Sequence, residues 1–264
     1  MYQEFLKLPF NNMNLIYQLT KREVVGRYKG SALGLLWSFI VPLVMLGVYT
    51  FVFGMVFKAR WGVDGGHNFS VLLFAGLTFH AFLAECLTSS PGVILNKPNF
   101  VKKVVFPLEI LPIVSVLTAL FHFCVSLLIL FFAVLWANGS VPLTWLALPF
   151  VFLPLFLLGL AASWLLASLG VYLRDIGQMT GVLATLLMFL CPIFYPLSAI
   201  PEAYQPYILL NPLSYIVEEA RNILVFGTWP EFKNLAVYTL FAFILSFLSF
   251  VWFSKTRRGF ADVL

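Results

Sequence analysis

Long uninterrupted runs of apolar residues constrain this chain more than any other feature of its sequence. A bilayer core of roughly 30 Å is crossed by about 20 helical residues at 1.5 Å each. Six stretches reach that length: Gly34–Phe57, Ser70–Ser90, Leu108–Ala137, Thr144–Val171, Gln178–Leu197 and Phe232–Phe253. Only 10% of the 264 residues are charged, against about a quarter in a soluble domain, so lipid must cover much of the surface. The sequence therefore predicts an all-α integral membrane protein with six transmembrane helices.

The distribution of Lys and Arg predicts the orientation. With the N-terminus inside, twelve basic residues fall on cytoplasmic segments and four on the other side, which is the positive-inside bias. The four are Lys58, Arg60, Arg221 and Lys233. We expect both termini in the cytoplasm, and one domain comprising an interfacial segment (1–33), a six-span bundle (34–254) and a tail (255–264). In a membrane protein the distribution of charge matters more than the net charge of +5, and no nucleic-acid partner is expected.

The segment before the first span is polar and apolar by turns. Leu15 and Leu19 share one helical face, whereas Val24 and Val25 lie on nearly the opposite one. We therefore expect an N-terminal interfacial amphipathic helix that breaks or turns near Thr20–Gly26. A plain basic juxtamembrane tail is the alternative.

The loop between the second and third spans, residues 96–107, combines prolines and lysines with apolar residues. Phe100, Val101, Val104 and Val105 repeat at helical spacing, so a short helix could present them to a partner. The alternative is a loop that packs its own apolar residues against the membrane face. The spacing alone leaves both open.

Two short helices are predicted between the fifth and sixth spans. Asn211 and Pro212 suit an N-cap and first helical position, and Gly227 suits a stop. The helix Pro212–Phe226 would be about 22 Å long, too short to cross. Glu218 and Arg221 lie three apart on it and can pair. With residues 200–210, it predicts two re-entrant outer helices, allowed only where they line a cavity or are buried in protein.

Motifs for chemistry are missing from the sequence. It contains no Gly-Lys dipeptide and hence no nucleotide-binding P-loop, and no zinc-protease, paired-cysteine or nucleophile-elbow motif. Glu85 and Glu109 lie near cytoplasmic helix ends, where we expect them to reach water. His80 and His122 sit deeper without an evident carboxylate partner, so hydrogen bonding between helices is favoured over a proton relay. No catalytic residue, metal site or cofactor site is predicted.

Several segments, in order, resemble a known family. They are Arg27–Ser31 (RYKGS), Leu33–Trp37 (LGLLW), Tyr172–Ile176 (YLRDI), Pro192–Pro196 (PIFYP), Asn211–Leu213 (NPL) and Phe260–Val263 (FADV). Together they resemble the permease subunits of ATP-binding-cassette exporters of polysaccharide, the group that handles O antigen, capsule chains and teichoic acid. The resemblance runs nearly end to end.

The resemblance implies a homodimer in the bacterial inner membrane, docked to two cytoplasmic ATP-binding subunits that hold ATP and Mg²⁺. The cargo would be an undecaprenyl-linked polysaccharide. It also implies that the N-terminal helix contacts the ATPase and that the loop after the second span is the coupling element. The coupling residues would be Lys97, Phe100, Val101, Lys102, Lys103 and Val104. The outer gate would be built by Tyr195, Asn211, Pro212, Glu218 and Arg221.

Aromatic residues of the first span are candidates for a sugar channel, because rings can stack on the C–H faces of sugars. Tyr49, Phe53 and Phe57 share one face of that span, and Trp37 and Phe51 share another. Ordinary lipid-facing and interfacial roles are the alternative. Arg27 and Lys29 are candidates for attracting a lipid pyrophosphate at the entrance, and headgroup anchoring explains them equally well.

Three other functions stay open. The same machine could carry a drug, a heme precursor or a simple lipid. A membrane-embedded enzyme acting on polyprenyl-linked sugars would want clustered carboxylates, whereas Glu85, Glu109 and Asp175 are scattered. A secondary transporter is disfavoured by the nearly uncharged spans.

Overall fold

The architecture is entirely helical across the part of the chain that the structure describes. In this computed structural model those residues are 2–57, 68–102 and 106–263, and no strand occurs among them, as the apolar runs predict. The α-helices are α1 Tyr2–Asn11, α2 Met13–Arg27, α3 Trp37–Tyr49, α4 Phe69–Ser89, α5 Gly92–Leu95, α6 Pro98–Val101, α7 Ile110–Asn138, α8 Leu148–Tyr172, α9 Ile176–Phe189, α10 Gln205–Leu209, α11 Ser214–Arg221, α12 Phe232–Thr256 and α13 Phe260–Val263. Turns of 3₁₀ helix cover Gly34–Leu36, Leu143–Ala147, Leu197–Ala199 and Arg257–Gly259, and π-helical turns cover Thr50–Val56 and Asn222–Phe226.

Five helical segments within the described ranges are long and apolar enough to cross a membrane. They are Gly34–Val56, Phe69–Ser89, Ile110–Asn138, Leu143–Tyr172 and Phe232–Val263. They coincide with the first four predicted spans and the sixth, although the last continues past Phe253 into α13. We call the end of the bundle that carries α2, α5 and α13 the near end, and the opposite end, with α10 and α11, the far end.

The fifth predicted span is shorter than expected. It was predicted as Gln178–Leu197, but α9 stops at Phe189 after 14 residues. That is about 21 Å of helix. The apolar composition continues, but Pro192 has no N–H to donate and disfavours a helical residue before it. α9 is therefore a shorter apolar helix that runs from the near end to the far end, where residues 190–196 turn.

The predicted break in the N-terminal helix is wrong. α2 runs unbroken through Thr20–Gly26, and the interruption lies at Asn12, between α1 and α2. Ile16 and Val24 are both buried, and α2 packs along α7. Eight residues of helix rotate by only about 80° from the starting face, so these two side chains fit one stripe. Val25 remains exposed, so the second apolar face predicted from the sequence is only partly used.

α4 is the central helix and α3 forms a wall. In the most apolar stretch of α4, 72% of the residues are buried. In the most apolar stretch of the first span, which contains α3, none is buried. α4 packs against α7, α8, α9 and α11, whereas α3 contacts α4 and α7. Leu43 and Val44 on α3, and Val182 and Leu186 on α9, are exposed apolar side chains on two helices that both pack on α4, and we call them together the α3–α9 face.

The far end contains short helices, as predicted. Asn211 Oδ1 accepts a hydrogen bond from the Leu213 N–H at 2.9 Å, and Gly227 ends the segment in the left-handed conformation at φ 71°. The helix itself begins at Ser214 and widens into a π-helical turn after Arg221. The loosened carbonyls of that turn accept bonds from side chains of the segment before α8, including Trp145 Nε1–H at 3.0 Å.

Candidate functional site

A cavity of about 450 Å³ lies beside α3, on the side of the molecule that carries the α3–α9 face. Its walls come from the C-terminal end of α2, from α3, α4 and α7, and from Met188 of α9. Most of the wall is apolar or aromatic. Its polar groups are concentrated at the near end, at Arg27, Tyr28, Glu85 and His122. The cavity therefore has an apolar body and a polar end.

The predicted channel residues separate into two groups. Trp37 and Tyr49 line the cavity. Phe53 packs inward, with its ring centroid 5.6 Å from that of Phe69, and Phe57 stands 5.8 Å from Phe53. Phe51 and Phe57 are exposed outside the cavity. The structure divides both predicted helical faces, and of the five candidates only Trp37 and Tyr49, one from each face, share a space that a ligand can enter.

Four side chains form a hydrogen-bonded cluster at the polar end. Arg27 Nη1 lies 2.6 Å from Glu85 Oε1, and His122 Nδ1 lies 3.0 Å from both Glu85 oxygens. Tyr28 Oη lies 3.1 Å from His122 Nε2. A neutral histidine satisfies every group if Nδ1–H donates to Glu85 and Nε2 accepts from Tyr28. The 3.1 Å approach of Arg27 to His122 Nδ1 is then a contact between two donors that share one carboxylate.

This cluster corrects the view of His122 as a histidine without a carboxylate partner. Glu85 is that partner, and 37 positions separate them in the chain, so no local spacing indicated the pair. Of the two candidates for attracting a lipid pyrophosphate, Arg27 has its charge balanced by Glu85, while Lys29 is exposed. His80 behaves as predicted for helix-to-helix hydrogen bonding, with Nε2 2.9 Å from the Ala184 carbonyl of α9.

The predicted coupling loop packs partly on the chain itself. Phe100 and Val101 are half-buried against the core, and the Phe100 ring lies 4.3 Å from that of Phe106. For these two residues the structure favours self-packing over display to a partner. Lys102 is exposed, whereas Lys103 and Val104 lie outside the described residues.

Ion pairs join separate helical segments at the near end. Lys97, just before α6, pairs with Glu23 of α2, a partner that sequence reasoning missed. A small polar cavity of about 130 Å³ separates α2 from α5 and is bordered by both Glu23 and Glu85. Glu109, expected to reach water, is buried and pairs with Arg257, which follows α12. The tail thus supplies the charge that a buried carboxylate requires.

The predicted gate residues all lie at the far end, and Tyr195, Asn211 and Pro212 hydrogen-bond within it. Tyr195 Oη–H donates to the Phe189 carbonyl at 2.7 Å, and Asn211 Nδ2 donates to that of Leu187 at 2.8 Å. The carbonyl of Pro212 accepts from the Tyr238 hydroxyl. These bonds place the predicted gate directly on the C-terminal end of α9.

At the far end, Glu218 and Glu219 are partly buried and Arg221 is almost fully buried. Burial raises the pKa of Glu218 above its usual range, opposed by the charge of Arg221. Burial, with the charges of Glu218 and Glu231, raises the pKa of Glu219. Arg221 is 2% exposed and bonds to backbone carbonyls. The Glu218–Arg221 proximity predicted from spacing is therefore an electrostatic one.

Comparisons with known proteins place the whole chain among transporters. The family model described as ABC-2 type transporter matches residues 14–225. The O-antigen export system permease protein RfbA of Klebsiella pneumoniae is 27% identical over 265 residues, covering 98% of this chain and 99% of the relative. The protein of the same name from Myxococcus xanthus is 29% identical over 252 residues, covering 94% of each chain. The polysialic acid transport protein KpsM of Escherichia coli is 25% identical over 244 residues, covering 90% of this chain and 91% of the relative.

Proposed function

This chain belongs to the ABC-2 type transporter family, and from that premise we propose that it is the membrane subunit of an exporter for a lipid-linked polysaccharide. Membership confirms the resemblance to polysaccharide-exporting permeases, since relatives named for O-antigen and polysialic acid transport match nearly the whole chain. The chain is thus a multi-pass membrane transport subunit. The cargo, the direction of movement and the energy source are the proposal.

The cavity beside α3 is the observation that carries the proposal. It combines an aromatic and apolar body, with Trp37 and Tyr49 in its wall, and a polar near end. Aromatic rings can stack on the C–H faces of sugar rings. Because this stacking does not require one fixed position of the sugar, a long chain can slide past. Trp and Tyr also keep a polar group available for sugar hydroxyls. A pocket built only for lipid or an apolar drug would have less use for that combination.

We propose that a second copy of the chain completes the conduit. The α3–α9 face is apolar and leaves α3 with neighbours on one side only. Two copies meeting through this face would enclose the two cavities between them. ATP hydrolysis would come from two separate subunits docked on the near end, because the sequence contains no P-loop. The near end would face the cytoplasm, following the distribution of Lys and Arg.

ATP can drive transport only if the ATPase binds two conformations of the dimer with different affinities. The ion pairs of α2 with Lys97 and Glu85 support α2 and the coupling loop as the part that receives this force. A membrane-embedded enzyme is a weaker candidate, because Glu85 and Glu109 are each engaged by an arginine. They are not clustered as a general acid and base.

Reconstitution tests the proposal. Vesicles containing the chain and its cognate ATP-binding subunit, loaded with an undecaprenyl-linked glycan, should move the glycan only when ATP is hydrolysed. Vesicles without the ATPase, or with an ATPase that binds but does not hydrolyse ATP, are the controls. Equal glycan movement in the controls would refute the mechanism. Movement of an unrelated lipid but not of the glycan would assign another cargo.

Orientation has its own test. Ser198 at the far end and Arg258 at the near end are both exposed. In intact cells a membrane-impermeant thiol reagent should label Ser198→Cys and spare Arg258→Cys. The reverse pattern would contradict cytoplasmic termini.

A further inference from the structure

Arg221 is buried among backbone groups of three separate elements. It stands at the end of α11 with 2% of its surface exposed, and it is one of the largest fully buried side chains among the described residues. Its Nε–H donates to the Leu72 carbonyl of α4 at 3.1 Å, and Nη2–H donates to the Ile193 carbonyl at 2.7 Å. Its Nη1–H donates to the carbonyl of Pro192. One guanidinium therefore joins α11, α4 and the turn that follows α9.

The acceptors suit this arrangement. Pro192 and Ile193 lie in the non-helical turn, where their carbonyls are not committed to a helical ladder. Leu72 lies in the first turn of α4, and its carbonyl oxygen has a second lone pair besides the one used within the helix. A planar guanidinium carries five donors in a fixed fork and can serve carbonyls in two directions together. An ammonium group offers no such fork.

Gly76 provides the space for the guanidinium. A Cβ built on this residue of α4 would lie 2.8 Å from Arg221 Nη2, closer than real Cβ atoms come, and 3.3 Å from Val217 Cγ1, which is a tight contact. Gly76 is one helical turn after Leu72, so the acceptor and the space lie on one face of α4. Glycine in a helix interior is unfavourable in itself. Gly76 and Arg221 therefore form a matched pair.

Burying a guanidinium is unfavourable unless its hydrogen bonds are made, and an apolar side chain would pack the same space without that cost. What the arginine adds is a connection. Pro192 and Ile193 lie three and two residues before Tyr195 of the predicted gate, and α11 carries Glu218. α4 is also the helix that bonds to α2 at its other end, through Glu85 and Arg27.

We infer that Arg221, seated over Gly76, is a positioning residue that fixes the turn after α9 and helix α11 to α4, so that the far-end exit is sealed and moves as one body with α4. This inference rests on the proposed function for the meaning of the exit. A movement of α2 at the near end would be transmitted to the exit through α4, because α4 bonds to α2 through Glu85 and to Arg221 through Leu72.

The first experiment measures the seal. The complex with its ATP-binding subunit is reconstituted into vesicles that contain carboxyfluorescein, and leakage is followed without nucleotide. Arg221→Met should raise leakage roughly tenfold or more, since hydrogen bonds to a charged group are lost. Arg221→Lys should leak nearly as much, because it keeps the charge but not the fork. Full sealing by lysine would overturn the role of the fork.

A double-mutant cycle tests the matched pair. Gly76→Ala should increase leakage in the native background and add much less beside Arg221→Met, where only the 3.3 Å contact with Val217 Cγ1 remains. Gly26→Ala, which has nothing within 4 Å of its Cβ, is the control and should leave leakage unchanged. Additive effects of Gly76→Ala and Arg221→Met would overturn the pairing.

Amide hydrogen exchange separates this inference from the proposed function, because it needs no cargo. Exchange of the turn 190–196 should accelerate in Arg221→Met while α7 and α8 stay protected. If the native complex moves glycan but the variants neither leak nor exchange faster, the inference alone fails. If the native complex moves no glycan but exchange of the turn accelerates, the proposed function alone fails. If Arg221→Met does not fold, Gly76→Ala and Arg221→Lys carry the same measurements.

Discussion

Glu85→Gln should loosen α2 from the bundle while leaving the spans folded. The substitution keeps the shape of the side chain and removes its charge. In the native protein Glu85 accepts from Arg27 at 2.6 Å and from His122 at 3.0 Å. The Arg27 side chain is 44% exposed, whereas those of His122 and Glu85 are 16% and 20% exposed. Water can therefore replace part of the arginine bond but little of the histidine bond.

The magnitude follows from these exposures. A hydrogen bond to a charged group contributes about 1.5–3 kcal/mol, but an exposed ion pair contributes only about 0–1 kcal/mol. Glutamine keeps one neutral hydrogen bond through its amide oxygen. His122 belongs to α7, so only the Arg27 pair attaches α2; the loss for α2 should be about 0.5–1 kcal/mol, and since 1.4 kcal/mol is a factor of ten, α2 should open about two- to fivefold more often.

Amide hydrogen exchange of residues 13–27 in the reconstituted complex measures this opening. Glu85→Gln should accelerate exchange there about two- to fivefold and leave α8 unchanged. Glu202→Gln, an exposed carboxylate at the far end, is the matched control. Arg27→Gln should add little to Glu85→Gln, because the two residues share one interaction. Unchanged exchange in α2, or the same acceleration in the control, would refute the assignment of the cluster to α2 attachment.

Three further predictions concern the tail, the far end and the cavity. Arg257→Gln leaves the buried Glu109 carboxylate without its cation; because Arg257 is half-exposed, we expect a loss of about 1–3 kcal/mol in thermal unfolding, and Arg258→Gln should change nothing. Because the pKa of Glu219 is raised in the folded protein, its contribution favours the folded far end at acid pH and declines as pH rises through that raised pKa. As pH rises, amide exchange of residues 214–226 should therefore accelerate more than it does in an unstructured peptide. Glu219→Gln should reduce this additional acceleration. If the variant leaves it unchanged, burial of Glu219 does not destabilise the far end at high pH. Trp37→Ala, at an exposed cavity residue, should slow glycan export without altering the melting temperature, whereas Phe53→Ala, at a core-packed one, should cost about 1–3 kcal/mol of stability and lower the melting temperature. The opposite division between flux and stability would contradict the assignment of the cavity wall.

The spans were predictable from sequence because each must bury about 20 backbone hydrogen-bonding groups in an apolar layer, which leaves an unmistakable run of residues. The fifth predicted span is longer than the helix that forms, because composition and backbone chemistry disagree there. The residues up to Leu197 are apolar, but Pro192 ends the helix. The continuous α2 was missed because the pattern of Leu15 and Val25 does not say which apolar residues find a partner.

The site was less predictable because its contacts are long-range. Glu85 and His122 are 37 positions apart, and Arg221 and Leu72 are 149 apart. Arg221 also bonds to backbone carbonyls, which every residue has, so no side-chain type marks the partner. The aromatic residues of the first span were candidates as a set, and only the packing of Phe53 on Phe69 separated them from Trp37 and Tyr49.

The shortness of α9 has a consequence for how the molecule meets its surroundings. A helix of about 21 Å beside a hydrocarbon layer of roughly 30 Å is a hydrophobic mismatch. Lipid in contact with it would have to thin by about 9 Å, which at a fraction of a kcal/mol per Å amounts to a few kcal/mol. A second copy laid against α9 removes that lipid and the cost with it. Early termination of this helix at Pro192 would thus favour association through the same face that leaves α3 uncovered, before any specific contact between the copies is counted.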